Sequence, residues 1–534
     1  MNFTVKEVLD DASRKHPNKI AFVADRRELS YKDLESLVAK TASGLVETGI
    51  TRHDKVAILS PNTLDWFVIQ LATAELGVVL VPINTRFKRA EVEYILRQSD
   101  ASLLLVDERS TGETAYLQVL RQLFPELQET NYQRIASDRF PHMKCIVGAW
   151  GSKRLIDTLI SLSQTSAGAS ALRSEAMDIV LMQYTSGTTS FPKGVMLSQE
   201  QILRNAFNLG SRVGMNSDDL LVSPLPFSHV GGSVLTNLLA ITHGAGILTL
   251  AKYDPDALLA LIKKFEPTAI NGIDSHFIDI YTNPSFKEVE LASVKKGWMI
   301  GTPEVVRHVI EDMGISSITN VYGLSEASPN VTSSLPTDSA DLRCNTQGVT
   351  YEGMELRIVD PRTAIVLPAG SIGEIHVRGY SVMKGYYNKP DETSAVIDAD
   401  GWLHTGDQGF LDNLGYLSFI GRMKDVIRVG GENVSAVEVE NLLLTYPKIK
   451  RAAVIGFPDK RLGEVCYAFV ELRENCGAQP NEIIEFCRGV VASFKVPRAV
   501  QFMKTMPMTE SGKIQKFKLK EMVLEPSARK QMSD

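Results

Sequence analysis

Along the N-terminal part of the chain, short solid runs of apolar residues alternate with stretches whose apolar residues recur every three to four positions. Ala21-Phe22-Val23, Lys55 to Leu59 and Ser102 to Val106 read as buried strands, whereas Tyr31 to Leu45 and Thr63 to Leu76 carry helical spacing. Strands alternating with helices predict a parallel sheet with helices on both faces. Residues 111–133, helical and polar, and residues 161–174, rich in Ser and Ala, read as surface insertions. Further on, Ile179 to Met182 reads as another buried strand, a helix is expected from near Ser198, and Met299-Ile300 reads as a strand ending in a tight turn. Gly373 to Gly379 alternates polar and apolar, as a half-exposed strand does.

Beyond Arg422 the character changes. Val426 to Val429, a helix from about Ser435 to Leu444 and the strand Ala452 to Ile455 predict a small α+β unit. The expected fold class is α/β: a large multi-sheet N-terminal domain with helix-flanked sheets at residues 1–422, and a small C-terminal domain at 423–534.

With 534 residues, 44% hydrophobic and 22% charged, the composition is that of an ordinary globular protein. A net charge of −6 without a lysine-arginine block argues against nucleic acid as a partner. Any site for a polyanion must therefore make its positive field locally. Five cysteines without a Cys-x-x-Cys pair suggest reduced thiols and no zinc site of that kind. Neither a signal peptide nor an apolar run of about 18 residues is found, so a cytoplasmic protein with no membrane span is expected.

Candidate chemistry concentrates after the strand at Ile179. Tyr184-Thr185-Ser186-Gly187-Thr188-Thr189-Ser190-Phe191-Pro192-Lys193-Gly194 surrounds Gly187 with hydroxyls and closes on a lysine. Such a loop can offer hydroxyl and amide donors to phosphate oxygens while Lys193 adds positive charge. It is not a Walker loop, because Pro192 stands five residues after Gly187. A second cluster is Asn320-Val321-Tyr322-Gly323-Leu324-Ser325-Glu326. Tyr322 can stack on a purine, Asn320 can meet its edge, Gly323 permits close backbone approach, Ser325 can donate to an α-phosphate, and Glu326 is a hard oxygen ligand for Mg2+. Asp407, closing Gly401-Trp402-Leu403-His404-Thr405-Gly406-Asp407, could accept from two ribose hydroxyls, with Arg422 beside it.

These motifs, in this order and over essentially the whole chain, resemble those of the adenylate-forming enzymes: acyl- and aryl-CoA synthetases, peptide-synthetase adenylation domains and luciferases. The first loop departs from their usual form at Ser190, where a glycine is customary. The resemblance implies ATP, Mg2+ and coenzyme A. It gives Thr185, Ser186, Gly187, Thr188, Thr189 and Lys193 to the phosphates, and Gly301-Thr302-Pro303 to one face of the adenine. It sets Phe227 and His229 beside the substrate carboxylate, and makes Lys513 the catalytic lysine of adenylation, with Thr185, Glu326 and His229 completing the catalytic set. Lys424 becomes the hinge of a mobile C-terminal domain, and Gly430-Gly431 the passage for the pantetheine arm. Asp274-Ser275-His276-Phe277 stands where relatives carry a more apolar, proline-bearing turn, and is open to two readings, a polar pocket wall or a solvent face.

The expected reaction joins a fatty, aryl or alicyclic acid to coenzyme A through an acyl-adenylate, with release of pyrophosphate. The alternative is a free-standing adenylation enzyme loading an acyl or amino acid onto a carrier protein. A homodimer is the expected assembly, and the acid itself is not readable.

Overall fold

The computed structural model describes residues 4–24, 27–108, 116–128, 130–150, 153–163, 172–185, 192–288, 291–423, 426–429, 432–459, 462–491, 493–509 and 512–524. The Ser186–Ser190 part of the phosphate-type loop, Lys424 and Gly430-Gly431 lie outside them.

Two large sheets carry the N-terminal part. The seven-stranded one runs, in spatial order, Tyr132–Arg134, Cys145–Ala149, Leu103–Asp107, Lys55–Leu59, Val79–Pro82, Ile179–Thr185 and Lys193–Ser198. Its five inner strands are parallel and both edge strands antiparallel. The nine-stranded sheet runs Val349–Thr350, Asn330–Ser333, Ser317–Gly323, Lys296–Ile300, Ala269–Ile273, Leu220–Ser223, Gly246–Thr249, Ile20–Ala24 and Arg27–Ser30. Its centre too is parallel.

The helix Leu64–Glu75 is buried all round up to Ala74, as expected of a helix between two sheets. Thr63 caps it, accepting from the Trp66 N–H at 3.3 Å. Trp66 meets Phe227, in the loop after Leu220–Ser223, and Phe67 meets Phe22 of the facing sheet, at ring separations of 5.4 and 5.2 Å. The predicted helix over 111–133 is shorter than its polarity suggested: Tyr116–Leu123 is helical, Pro125 stands two residues on, and Tyr132–Arg134 joins the sheet edge.

A four-stranded antiparallel sheet, Met354–Val359, Gly373–Gly379, Leu403–Leu411 and Leu417–Arg422, packs its apolar face against Tyr322 and Val331. The C-terminal part forms a five-stranded sheet from Glu432–Ser435, Val426–Val429, Gly463–Leu472, Ile449–Asp459 and Ala499–Phe502. It has its own core around Val434, Val439, Val454, Ala468 and Val470. The fold is thus mixed α/β, with a large N-terminal and a small C-terminal domain. Among the described residues no helix is long and apolar enough to cross a membrane.

Candidate active site

Parallel strands end on a common edge. The chain leaves that edge of the nine-stranded sheet at Ser223 towards His229, at Ile273 into the helix Asp274–Tyr281, at Ile300 into the turn Gly301-Thr302-Pro303, and at Gly323 into Ser325-Glu326. The seven-stranded sheet joins there as well: Gln183 Nε2 donates to the Ser228 carbonyl at 2.9 Å, beside His229, and Thr185 pairs with Lys193 across the base of the hydroxyl-rich loop.

Tyr322 (5% exposed) donates its hydroxyl to Asp407 Oδ2 at 2.8 Å, and its ring stacks on Phe419. Asp407 faces Arg422 across the antiparallel pair, with Arg422 Nε 3.3 Å from Oδ1. Burial, and then the Glu326 charge, raise the Asp407 pKa against the pull of Arg422, Tyr322 and Lys513. Asp407 Oδ1 is buried without a hydrogen-bond partner. A buried acceptor left open in this way suits an incoming hydroxyl. Gly323 allows the chain to turn here, since a Cβ would fall 2.0 Å from the Pro329 carbonyl oxygen.

Glu326 has a partner that no sequence motif marks. Tyr386 donates its hydroxyl to Glu326 Oε1 at 2.9 Å, while Lys193 Nζ lies 4.6 Å from the Tyr386 ring centre. Backbone bonds from Met196 to Gly385 (3.0 Å) and from Tyr387 to Gly194 (2.8 Å) fix that segment along the strand Lys193–Ser198. Among the described residues no lysine or arginine pairs with Glu326 at ion-pair distance. A carboxylate of this kind, one tyrosine away from Lys193, fits Mg2+, which binds through one or two carboxylates and substrate phosphates.

Lys513 comes from the far end of the chain. Thr509 and Lys513 are bonded to each other: Thr509 N–H donates to the Lys513 carbonyl at 2.7 Å, and Lys513 N–H to Thr509 Oγ1 at 2.9 Å. Gly512 at φ 76° bears on the helix Asp274–Tyr281, where a Cβ on it would meet Ser275 Oγ at 2.3 Å. Behind the tip, Arg451 pairs with both Asp279 on that helix and Glu471 on its own sheet, the latter at 2.8 Å. Lys513 is solvent-accessible, yet the protein around it and the Arg422 charge lower its pKa, while Asp407 and Glu326 act the other way. His229 also senses it: burial first, and then Lys513, push the imidazole down to about 3. Its Nδ1 accepts from the Gly231 N–H at 3.2 Å, so the neutral ring presents Nε2–H as a donor. That protonation suits hydrogen bonding to an anion and does not suit proton abstraction.

Three other expected residues have different surroundings. Phe227 is fully buried against Trp66 and does not line the cleft, so His229 alone of that pair faces it. Asn320 is also fully buried, and its amide is spent on backbone: it accepts from Gly301 N–H at 3.2 Å and donates to the carbonyls of Arg343 and Thr346. It holds the Gly301-Thr302 turn in place. Asp274 accepts from the Thr302 N–H with both oxygens, at 3.0 and 3.1 Å, and burial pushes its carboxyl up to about 7. Of the two readings of residues 274–277, the solvent face is excluded, since Ser275, His276 and Phe277 are all buried.

Comparison with known proteins agrees with this architecture. The family model of the AMP-binding enzyme matches residues 9–387, and that of the AMP-binding enzyme C-terminal domain matches residues 438–513. YngI of Bacillus subtilis is 37% identical over 98% of this chain and 97% of its own length. The mitochondrial medium-chain acyl-CoA ligase ACSF2 of Mus musculus is 32% identical over 98% and 88%. The ATP-bound crystal structure of MatB from Rhodopseudomonas palustris superposes with a TM-score of 0.85 at 26% identity, covering 98% of this chain and 99% of that one. This chain belongs to the AMP-binding enzyme family. It is an AMP-forming acid–CoA ligase, which uses ATP, Mg2+ and coenzyme A.

Proposed function

We propose that this ligase activates a medium-chain fatty acid, that residues 1–422 bind ATP and acid, and that residues 423–534 form a domain that swings about Lys424 between the two half-reactions. The observation carrying this reading is the meeting of Lys513 with Arg422, Asp407, Glu326 and His229 across one cleft. The likeness to the medium-chain ligase supports the choice of acid.

A carboxylate is a poor electrophile, because its charge repels nucleophiles and oxide leaves badly. In the first half-reaction a carboxylate oxygen bonds to the α-phosphorus of ATP, and the bond to the β-phosphate oxygen breaks. Like charges must be brought together, so catalysis is positioning plus charge cancellation. Lys513 supplies a cation at the point of attack, and the neutral His229 donates Nε2–H to the acid. Thr185, Ser186, Thr188, Thr189 and Lys193 hold phosphate oxygens, and Ser325 the α-phosphate. Asp407 accepts from the ribose hydroxyls, with Arg422 beside it, and Tyr322 flanks the adenine on the wall made by Gly301-Thr302-Pro303. Glu326, steadied by Tyr386, would hold Mg2+, which neutralises phosphate charge when bound. In the second half-reaction the thiol of coenzyme A attacks the acyl carbon, the carbon–oxygen bond to AMP breaks, and the thiol proton passes to solvent. Gly430-Gly431 gives the pantetheine arm its passage once Lys513 has withdrawn. Five free cysteines suit a reducing, cytoplasmic setting.

Lys513→Ala tests the division of labour. Pyrophosphate release with octanoate should disappear, while supplied octanoyl-adenylate and coenzyme A should still give thioester. Loss of both half-reactions would sink it, and release of pyrophosphate only with aromatic acids would overturn the choice of substrate.

A further inference from the structure

On the four-stranded sheet, partly on the strand that also carries Asp407, three metal-type side chains meet. Glu374 and His376 lie two apart on the strand Gly373–Gly379 and so share one face, and His404 is the direct cross-strand partner of His376. One ligand atom from each lies within 4.8 Å of the others.

We infer that Glu374, His376 and His404 form a binding site for a divalent transition ion of the Zn2+, Co2+ or Ni2+ type. Glu374 Oε2 and His376 Nε2 are 3.2 Å apart. Two ligands with bonds of about 2.0–2.1 Å at a tetrahedral angle stand roughly 3.3 Å apart, so an ion replacing the shared proton needs almost no movement of this pair. His404 closes the third position by turning its ring, which now lies face to face with His376 at 4.0 Å and 15°. It has room to turn, because 37% of its side chain is exposed, against 5% for His376. The exposed side leaves the fourth position to water. Asp398 Oδ2, 3.4 Å from His404 Nε2, is the carboxylate that orients a metal-bound imidazole through its other nitrogen.

His376 is 4% exposed, yet its Nδ1 is buried without a partner, so Glu374 is the ring's one hydrogen bond among the described residues. The pair with Glu374 therefore sets the position of the ring and turns Nε2 towards the other two side chains. Two imidazoles with one carboxylate select a borderline transition ion over Mg2+. The site also reaches the turn before Asp407, since Gly406 N–H donates to Glu374 Oε1 at 3.0 Å. A bound ion would therefore pin two strands and that turn together.

Cobalt is the probe. The untagged, metal-stripped chain, without acid, ATP or coenzyme A and with excess Mg2+ present, is titrated with Co2+ and followed by visible absorption and calorimetry. One equivalent should bind with the ligand-field bands of a four- or five-coordinate site and raise the melting temperature. His404→Ala, at a part-exposed position, should weaken binding by at least about tenfold, and Asp398→Asn by about 10- to 100-fold. Cys476→Ser, which removes the exposed thiol, should leave the bands in place. Absence of binding, six-coordinate spectra like those of the aqueous ion, equal binding by His404→Ala, or bands lost in Cys476→Ser would each overturn the assignment.

Discussion

Gly512 rests directly on Ser275: a single carbon added to the glycine would come 2.3 Å from the serine hydroxyl oxygen. The tip that carries Lys513 is therefore seated by steric fit against the start of the helix Asp274–Tyr281. Gly512→Ala adds that carbon at φ 76°, where a side chain costs roughly 1–2 kcal/mol. Displacing the lysine by about 1 Å should slow adenylation on the order of 100-fold. Thioester formation from supplied acyl-adenylate should hold steady. Adding Ser275→Gly should return part of the lost pyrophosphate release, because it removes the clash and leaves the backbone strain; no recovery would mean that the contact is not what seats the tip.

Tyr386→Phe removes one hydrogen bond to Glu326 and keeps the ring beneath Lys193. A group that orients a metal ligand is worth about 10- to 100-fold in affinity or activity. The Mg2+ concentration for half-maximal adenylation should rise accordingly, with the melting temperature little changed. A Mg2+ titration of pyrophosphate release that coincides with wild type would refute the role.

Asp274 gives a pH-dependence with a definite sign. Burial raises its carboxyl from the usual 3.8 to about 7, so between those values the folded protein holds a proton that the unfolded chain has lost. Its contribution to stability is complete below pH 3.8 and is lost as pH rises through about 7. Asp274→Asn, always neutral and still able to accept from Thr302 N–H, should flatten that part of the stability curve. Urea midpoints measured from pH 5 to pH 8 check this: the difference, mutant minus wild type, should grow with pH.

Asp279→Ala leaves Arg451 paired with Glu471 and removes its partner across the cleft. A part-exposed pair of this kind contributes about 1 kcal/mol or less. Adenylation should slow by at most roughly fivefold, with the second half-reaction unaffected. Equal slowing of both steps in single-turnover assays would argue against an effect on docking.

Much of the large domain could be read from hydrophobic pattern, because buried parallel strands such as Leu103–Asp107 are continuous apolar runs, and the motif residues stand at strand ends where the loops announce them. The site's supports were harder to read. Glu326 and Tyr386 are sixty positions apart and meet only because the chain returns along the strand Lys193–Ser198. Asp274 is open to two readings on sequence grounds, a pocket wall or a solvent face, and its bonds to the Thr302 N–H on a neighbouring strand end come from residues distant in the chain. Asn320 could have served a ligand or the backbone on sequence grounds, and full burial decides for the backbone. Phe227 follows the same logic: adjacency to His229 in the chain says nothing about which of them the aromatic cluster at Trp66 will claim.

Turns leaving neighbouring parallel strands on one rim have an evolutionary corollary. Each turn can be lengthened, shortened or exchanged without disturbing the strand beneath it, so preference for one acid over another can drift while the nucleotide contacts on adjacent turns are conserved. Chimeras exchanging residues 276–278 for the matching stretch of a relative, with Asp274, Ser275 and Asp279 kept because they hold the Thr302 turn and the Lys513 tip, should then change acid preference and keep the KM for ATP, and the rim supplies natural seams at which to cut.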